Sequence, residues 1–146
     1  MKTHRTWTKN MLAFALVFVI FTGCIGQIPE DDKTQWFNIA TPIAENILSS
    51  LNDNNYQGFV RDFSEETKNA TTPEDFAELR DFLISTIGKY ISSIPTEVTE
   101  EEGYIVVYFT ATFEQEENVT VRVVFKEGDN THKVYGLWFD SPKLRG

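Results

Sequence analysis

The sequence predicts an α+β domain in which three helices are followed by a curved antiparallel sheet of about four strands. Two observations carry this. Apolar residues recur every three to four positions before Gly88 and every second position after it. The strand-like runs are also joined by short polar turns, which force antiparallel neighbours. With 146 residues, 41% of them hydrophobic, the chain is expected to build one core, and 12 Phe supply bulk from few positions.

The first helix is expected to begin at Thr41 as cap with Pro42 at its first position. Its stripe is Ile43, Ile47, Leu48 and Leu51, and Trp36, Phe37 and Ile39 would extend it upstream only through a kink at Pro42. Asn52-Asp53-Asn54-Asn55 reads as a turn, and Tyr56, Phe59, Val60 and Phe63 give a second, short helix. The third helix has the strongest signal. Thr72 caps it, Pro73 is pre-set for the first turn, Glu74 and Asp75 suit the positive helix start, and Gly88 ends it. Its buried face is Phe76, Leu79, Leu83 and Ile87.

A weak strand is expected over residues 90–98, interrupted by Pro95. In the next strand Ile105, Val107, Phe109, Ala111 and Phe113 share one face. The same face continues through Val119, Val121, Val123 and Phe125, then Tyr135, Leu137 and Phe139. Glu100-Glu101-Glu102 and Glu114, Glu116 and Glu117 fall in expected turns.

Residues 1–10 are polar and basic, residues 11–21 are an unbroken apolar run, and Thr22-Gly23 leads into Cys24. This is a three-part signal peptide whose apolar run is short for a membrane span of about 20 residues. Phe21-Thr22-Gly23-Cys24 resembles the lipobox of prokaryotic lipoproteins, with Phe21 where an aliphatic residue is usual. The resemblance implies a diacylglycerol thioether on Cys24 and cleavage before it. Cys24 is the single cysteine, so no disulfide forms within the chain. The expected organisation is a signal peptide over 1–23, a lipidated cysteine and flexible tether over 24–35, a domain over 36–142 and a tail over 143–146. The expected location is the extracytoplasmic face of the cell membrane. The start of the mature chain is similar to archaeal lipoproteins more than to bacterial ones, which stay open as the alternative.

Losing Lys2, Arg5 and Lys9 with the leader takes the net charge from −9 to −12. So acidic a domain repels phosphate backbones, which argues against nucleic acid as a partner. The order of helices and strands looks like the cystatin-like or NTF2-like cone. Tyr56-Gln57-Gly58-Phe59, Asp62-Phe63-Ser64-Glu65-Glu66, Phe76 and Gly88-Lys89-Tyr90 resemble the domain-of-unknown-function family 3887. That family implies a prokaryotic exported domain without an agreed activity.

The mature chain has one histidine, His132, expected on a solvent-facing turn, and no carboxylate is expected at an inward strand position. Phosphate loops, nucleophile elbows and zinc signatures are missing, so neither a metal nor a cofactor is implied. These features favour a non-catalytic module over a cone-type isomerase or hydrolase using pocket carboxylates. Phe63, Tyr90, Phe109, Phe113 and Tyr135 are the candidate lining for a small apolar ligand. Tyr104, Tyr108 and Trp138, on the outward parity, are the candidate interface for a protein partner or a homodimer. Asn69 and Asn118 stand in glycosylation triplets.

Overall fold

The computed structural model describes residues 25–146, and Cys24 and the expected signal peptide lie outside the described residues. The elements in order are β1 (Ile25–Gln27), α1 (Glu30–Asn52), α2 (Tyr56–Val60), α3 (Glu65–Asn69), α4 (Pro73–Ile87), β2 (Tyr90–Glu101), β3 (Tyr104–Phe113), β4 (Glu116–Lys126), β5 (Val134–Asp140) and α5 (Pro142–Arg145). The fold is α+β, with four long strands and the short β1 forming one antiparallel meander in chain order.

Within the expected flexible tether, the described residues form β1 and the start of α1. Residues 25–27 pair with Thr99, Glu100 and Glu101 of β2, and α1 starts at Glu30 with Pro29 as its cap. Pro29 and the acids Glu30, Asp31 and Asp32 make a favourable helix start, because carboxylates stabilise the exposed N–H groups of a first turn. Thr41 is therefore a mid-helix residue and not a cap, its hydroxyl donating to the Phe37 carbonyl at 2.6 Å. Pro42 inside α1 removes one backbone hydrogen bond at a cost of about 3 kcal/mol. The helix runs through it because Ala40, Ala44, Ile47, Leu48 and Leu51 bury on one stripe spanning both sides.

Instead of three comparable helices, the described residues form two long ones, α1 and α4, with the single turns α2 and α3 between them. Asn55 caps α2, and Ser64 caps α3 by accepting from Thr67 N. The Thr72 capping box, Pro73 and the Gly88 stop of α4 stand where the sequence puts them. Gly88 has φ 84°, and a Cβ there would lie 2.7 Å from Glu114 Cβ, so this end of α4 needs glycine.

The strand phase holds through β3 and β4, where Ile105, Val107, Phe109, Val119, Val121, Val123 and Phe125 are all buried in one core with Phe76, Leu79 and Leu83. In β5 it breaks. A bulge pairs Val124 with Gly136 but Phe125 with Val134, leaving Tyr135 as the extra residue. Val134 takes the core position expected of Tyr135, and two backbone bonds hold it, from Ser64 N at 2.9 Å and to Asp62 O at 2.8 Å.

The acidic runs are not all turns. Glu100 and Glu101 end β2, Glu116 and Glu117 begin β4, and Glu101 is buried. Glu100 stands opposite Ile105, which places one half-buried carboxylate on the inward parity at the end of the sheet. The expected tail is instead the helical turn α5. Ser141 caps it, and Arg145 pairs with Asp140 at 2.9 Å.

Candidate functional site

The inward site begins with packing. Phe63, Tyr90, Phe109 and Phe113, four of the five proposed lining residues, are each 6% exposed or less. Neighbouring rings fill the same space. Phe59 lies 5.1 Å from Phe63 and 5.0 Å from Phe76, and Tyr90 meets Phe113 edge-on at 5.8 Å. Tyr135, the fifth, is on the other face, edge-on to Tyr104 at 6.2 Å and with Lys126 Nζ 5.9 Å from its ring centre. Its hydroxyl donates to Asp129 at 3.0 Å. Partial burial first, and Asp129 second, raise its pKa.

Tyr90 has a polar end at the margin of this interior. Its hydroxyl donates to Glu45 Oε2 at 2.6 Å, and Ser93 Oγ lies 3.0 Å from the Tyr90 hydroxyl oxygen. Burial first, and the Glu45 contact second, push the phenol up to about 12, so it stays protonated near neutrality. The backbone of Tyr90 is clamped by Asn52, whose amide donates to the Tyr90 carbonyl at 2.8 Å and accepts the Tyr90 N–H at 2.9 Å. Arg80 of α4 donates to the Leu51 carbonyl at 2.7 Å, supplying positive charge to the C-terminal end of α1, which has no basic residue in its own last turn. Glu45 and Asn52 thus fix α1 to the start of β2, and Arg80 ties α4 to the end of α1. Sequence reading missed them because each contact joins residues at least 29 apart.

The outward face carries the second constellation. Arg122 lies 5.8 Å from the Tyr108 ring centre and 5.0 Å from that of Trp138, so the guanidinium is flanked by aromatic rings. Val106 and Val124 are buried on this face, outside the main core, between rows of larger side chains. The Trp138 indole N–H is shielded from solvent and has no acceptor among the described residues. The three residues expected at an interface, Tyr104, Tyr108 and Trp138, are all half-exposed here.

Elsewhere, His132 is less exposed than a free turn residue, because its ring packs edge-on against Trp36 at 5.7 Å. Asn69 ends α3, and Asn118 lies within β4 at φ 59°; both are exposed. Among the described residues, no three His, Cys, Asp or Glu side chains gather as a cation site. No described helix is long and apolar enough to cross a membrane.

A family model described as a protein of unknown function (DUF3887) matches residues 44–137, well over half the chain. The chain belongs to this family. No curated protein and no solved structure matches it. The DUF3887 span takes in Glu45, Tyr90 and most of the outward face, and it leaves out Cys24 and the first part of α1.

Proposed function

We propose that this chain is a membrane-tethered extracytoplasmic lipoprotein whose DUF3887 domain is a non-catalytic binding module of the cystatin-like or NTF2-like type. The observation that carries the address is the run from the apolar residues 11–21 into Thr22-Gly23-Cys24, with small residues before a lone thiol. Two acyl chains on that cysteine would hold the protein stably at the membrane, where one chain holds only marginally.

The binding reading draws on the two faces of the sheet. The buried aromatic interior has Tyr90 as its phenol, and a group with a pKa of about 12 is poorly suited to exchanging protons near neutrality. The outward face offers half-exposed aromatic rings around a cation, a surface suited to holding a protein. The competing reading, a cone-type isomerase or hydrolase working with carboxylates, would draw on Glu45 at the margin of the interior.

The test is Cys24→Ser in the native host, followed by membrane fractionation and mass spectrometry of the mature amino terminus. The wild type is expected in the membrane with a lipid-modified Cys24, and the variant is expected to be released or unprocessed. An unmodified mature start at Cys24 in wild type would overturn the anchor. Turnover of a small substrate that vanishes in Glu45→Gln would overturn the non-catalytic reading.

A further inference from the structure

We infer that the outward face of the sheet is a self-association surface, on which a second copy of this chain docks face to face about a two-fold axis running along β3. This deepens the binding-module reading by naming its partner.

The argument starts from strand register. One row across the sheet reads Glu97, Tyr108, Arg122, Trp138. Another, at the far end, reads Glu101, Tyr104, Lys126. In each row the acid belongs to β2, the cation to β4, and a tyrosine of β3 stands between them. Strands are spaced about 4.8 Å apart, so β2 and β4 lie at equal distances on either side of β3. A two-fold axis along β3 exchanges those two positions. It sets Glu97 over Arg122 of the second copy, a contact that occurs twice; Glu101, at the same place in its own row, is buried and takes no part. The Glu97–Arg122 row is therefore complementary to itself about this axis.

The side chains are poised for such a partner. Neither Arg122 nor Lys126 has an ion pair among the described residues, although both lie against aromatic rings. Flanking rings hold the guanidinium plane in place and leave its N–H edge for a carboxylate. Glu97 uses Oε1 for Lys33 at 2.8 Å and for the Val98 N–H at 2.9 Å, and its side chain keeps 49% of its surface exposed. Ile94, opposite Thr110 on the same parity, is 63% exposed, a degree unusual for so large an apolar side chain in this domain. The two-fold lays it over Thr120 of the second copy and removes it from water.

Area sets the strength. Four strands about 4.8 Å apart over roughly seven residues give on the order of 450 Å² of sheet per copy. Both copies together stay below a standard interface, so association in solution is weak. Confinement on one membrane raises the effective concentration of copies and favours the dimer.

The test uses the full chain, expressed with its own leader and purified in mild detergent with two different tags. Wild type is expected to associate reversibly at micromolar concentrations, and less so in high salt. Arg122→Glu and Glu97→Arg each place like charges at two contacts, so each alone is expected to weaken association at least about 100-fold, from tenfold or more per contact. Mixed together, the two variants are expected to pair with each other, because each contact regains opposite charges. If either variant melts well below wild type, Arg122→Gln and Glu97→Gln replace them, with each weakening association and the double variant weakening it no further. Wild type that stays monomeric at tens of micromolar and is not cross-linked in membranes overturns the proposal. So does a well-folded mixed pair that fails to associate. Both results leave the lipid anchor and the non-catalytic reading standing, since those are read by Cys24→Ser and Glu45→Gln.

Discussion

Replacing Tyr90 by Phe removes one hydroxyl from the point where α1 meets β2, and the structure sets both the size and the pH dependence of the effect. At neutral pH the loss is a hydrogen bond to Glu45 and the contact with Ser93. Glu45 is exposed and can turn to water, so the expected cost is about 1–2 kcal/mol. The phenol is pushed from 10.0 up to about 12 by burial and by Glu45. A raised folded-state pKa means that the stabilisation is fully present below the unfolded value and is lost as pH rises through the folded one. Between pH 10 and 12 the unfolded chain gives up this proton while the folded chain keeps it. Wild type therefore loses about 1.4 kcal/mol by pH 11 and roughly 2.7 kcal/mol once both states are ionised. Tyr90→Phe has no such proton to lose. Its stability deficit in urea unfolding is thus expected to be largest at pH 7–9 and close to zero near pH 11. Other tyrosines and lysines titrate in both proteins and cancel in the difference. A deficit that stays constant from pH 8 to pH 11 would refute the reasoning, because the Tyr90 phenol would then ionise as freely folded as unfolded.

Two further outcomes test the fold. Phe109→Ala, at a position 1% exposed in the main core, is expected to cost about 3–5 kcal/mol; a melting temperature within a few degrees of wild type would show that the strand phase is misread. Thr72→Ala removes one half of the α4 capping box, in which Asp75 N donates to the Thr72 hydroxyl at 3.1 Å; the expected loss is about 1 kcal/mol in denaturant unfolding, with Thr72→Ser restoring most of it.

The parts of the fold that were legible in the sequence are those fixed by near neighbours. Thr72, Pro73, Asp75 and Gly88 mark α4 within one stretch of chain, and the alternation from Ile105 to Phe113 fixes β3 because a one-residue slip would turn every side chain over. The start of α1 was misread although its signal was local. Pro29 followed by three acids has the composition of a solvated linker, and only the stripe from Trp36 through Leu51, continued across Pro42, shows that those acids open a helix. A helix of this length tolerates an internal proline when one core buries both halves, a condition that composition alone does not reveal.

The candidate sites divide along the same line. Parity placed Phe109 and Phe113 inward and Tyr108 and Trp138 outward, all correctly, because β3 and the end of β5 keep their register. Tyr135 was misplaced because the bulge at Tyr135 is set by a contact distant in sequence, the two hydrogen bonds that pull Val134 toward Asp62 and Ser64. That displacement has a functional cost for one reading and a gain for the other. It takes a phenol out of the interior, where it would have oriented a ligand, and puts it beside Tyr104 and Lys126 on the outward face. The interior is left with tightly packed rings and, at its margin, the protonated Tyr90 phenol. The outward face instead gains a ring against its second cation, matching the flanking of Arg122 four residues earlier on β4. An outward face with two ring-supported cations is therefore the feature of this domain that burial in its own core does not explain.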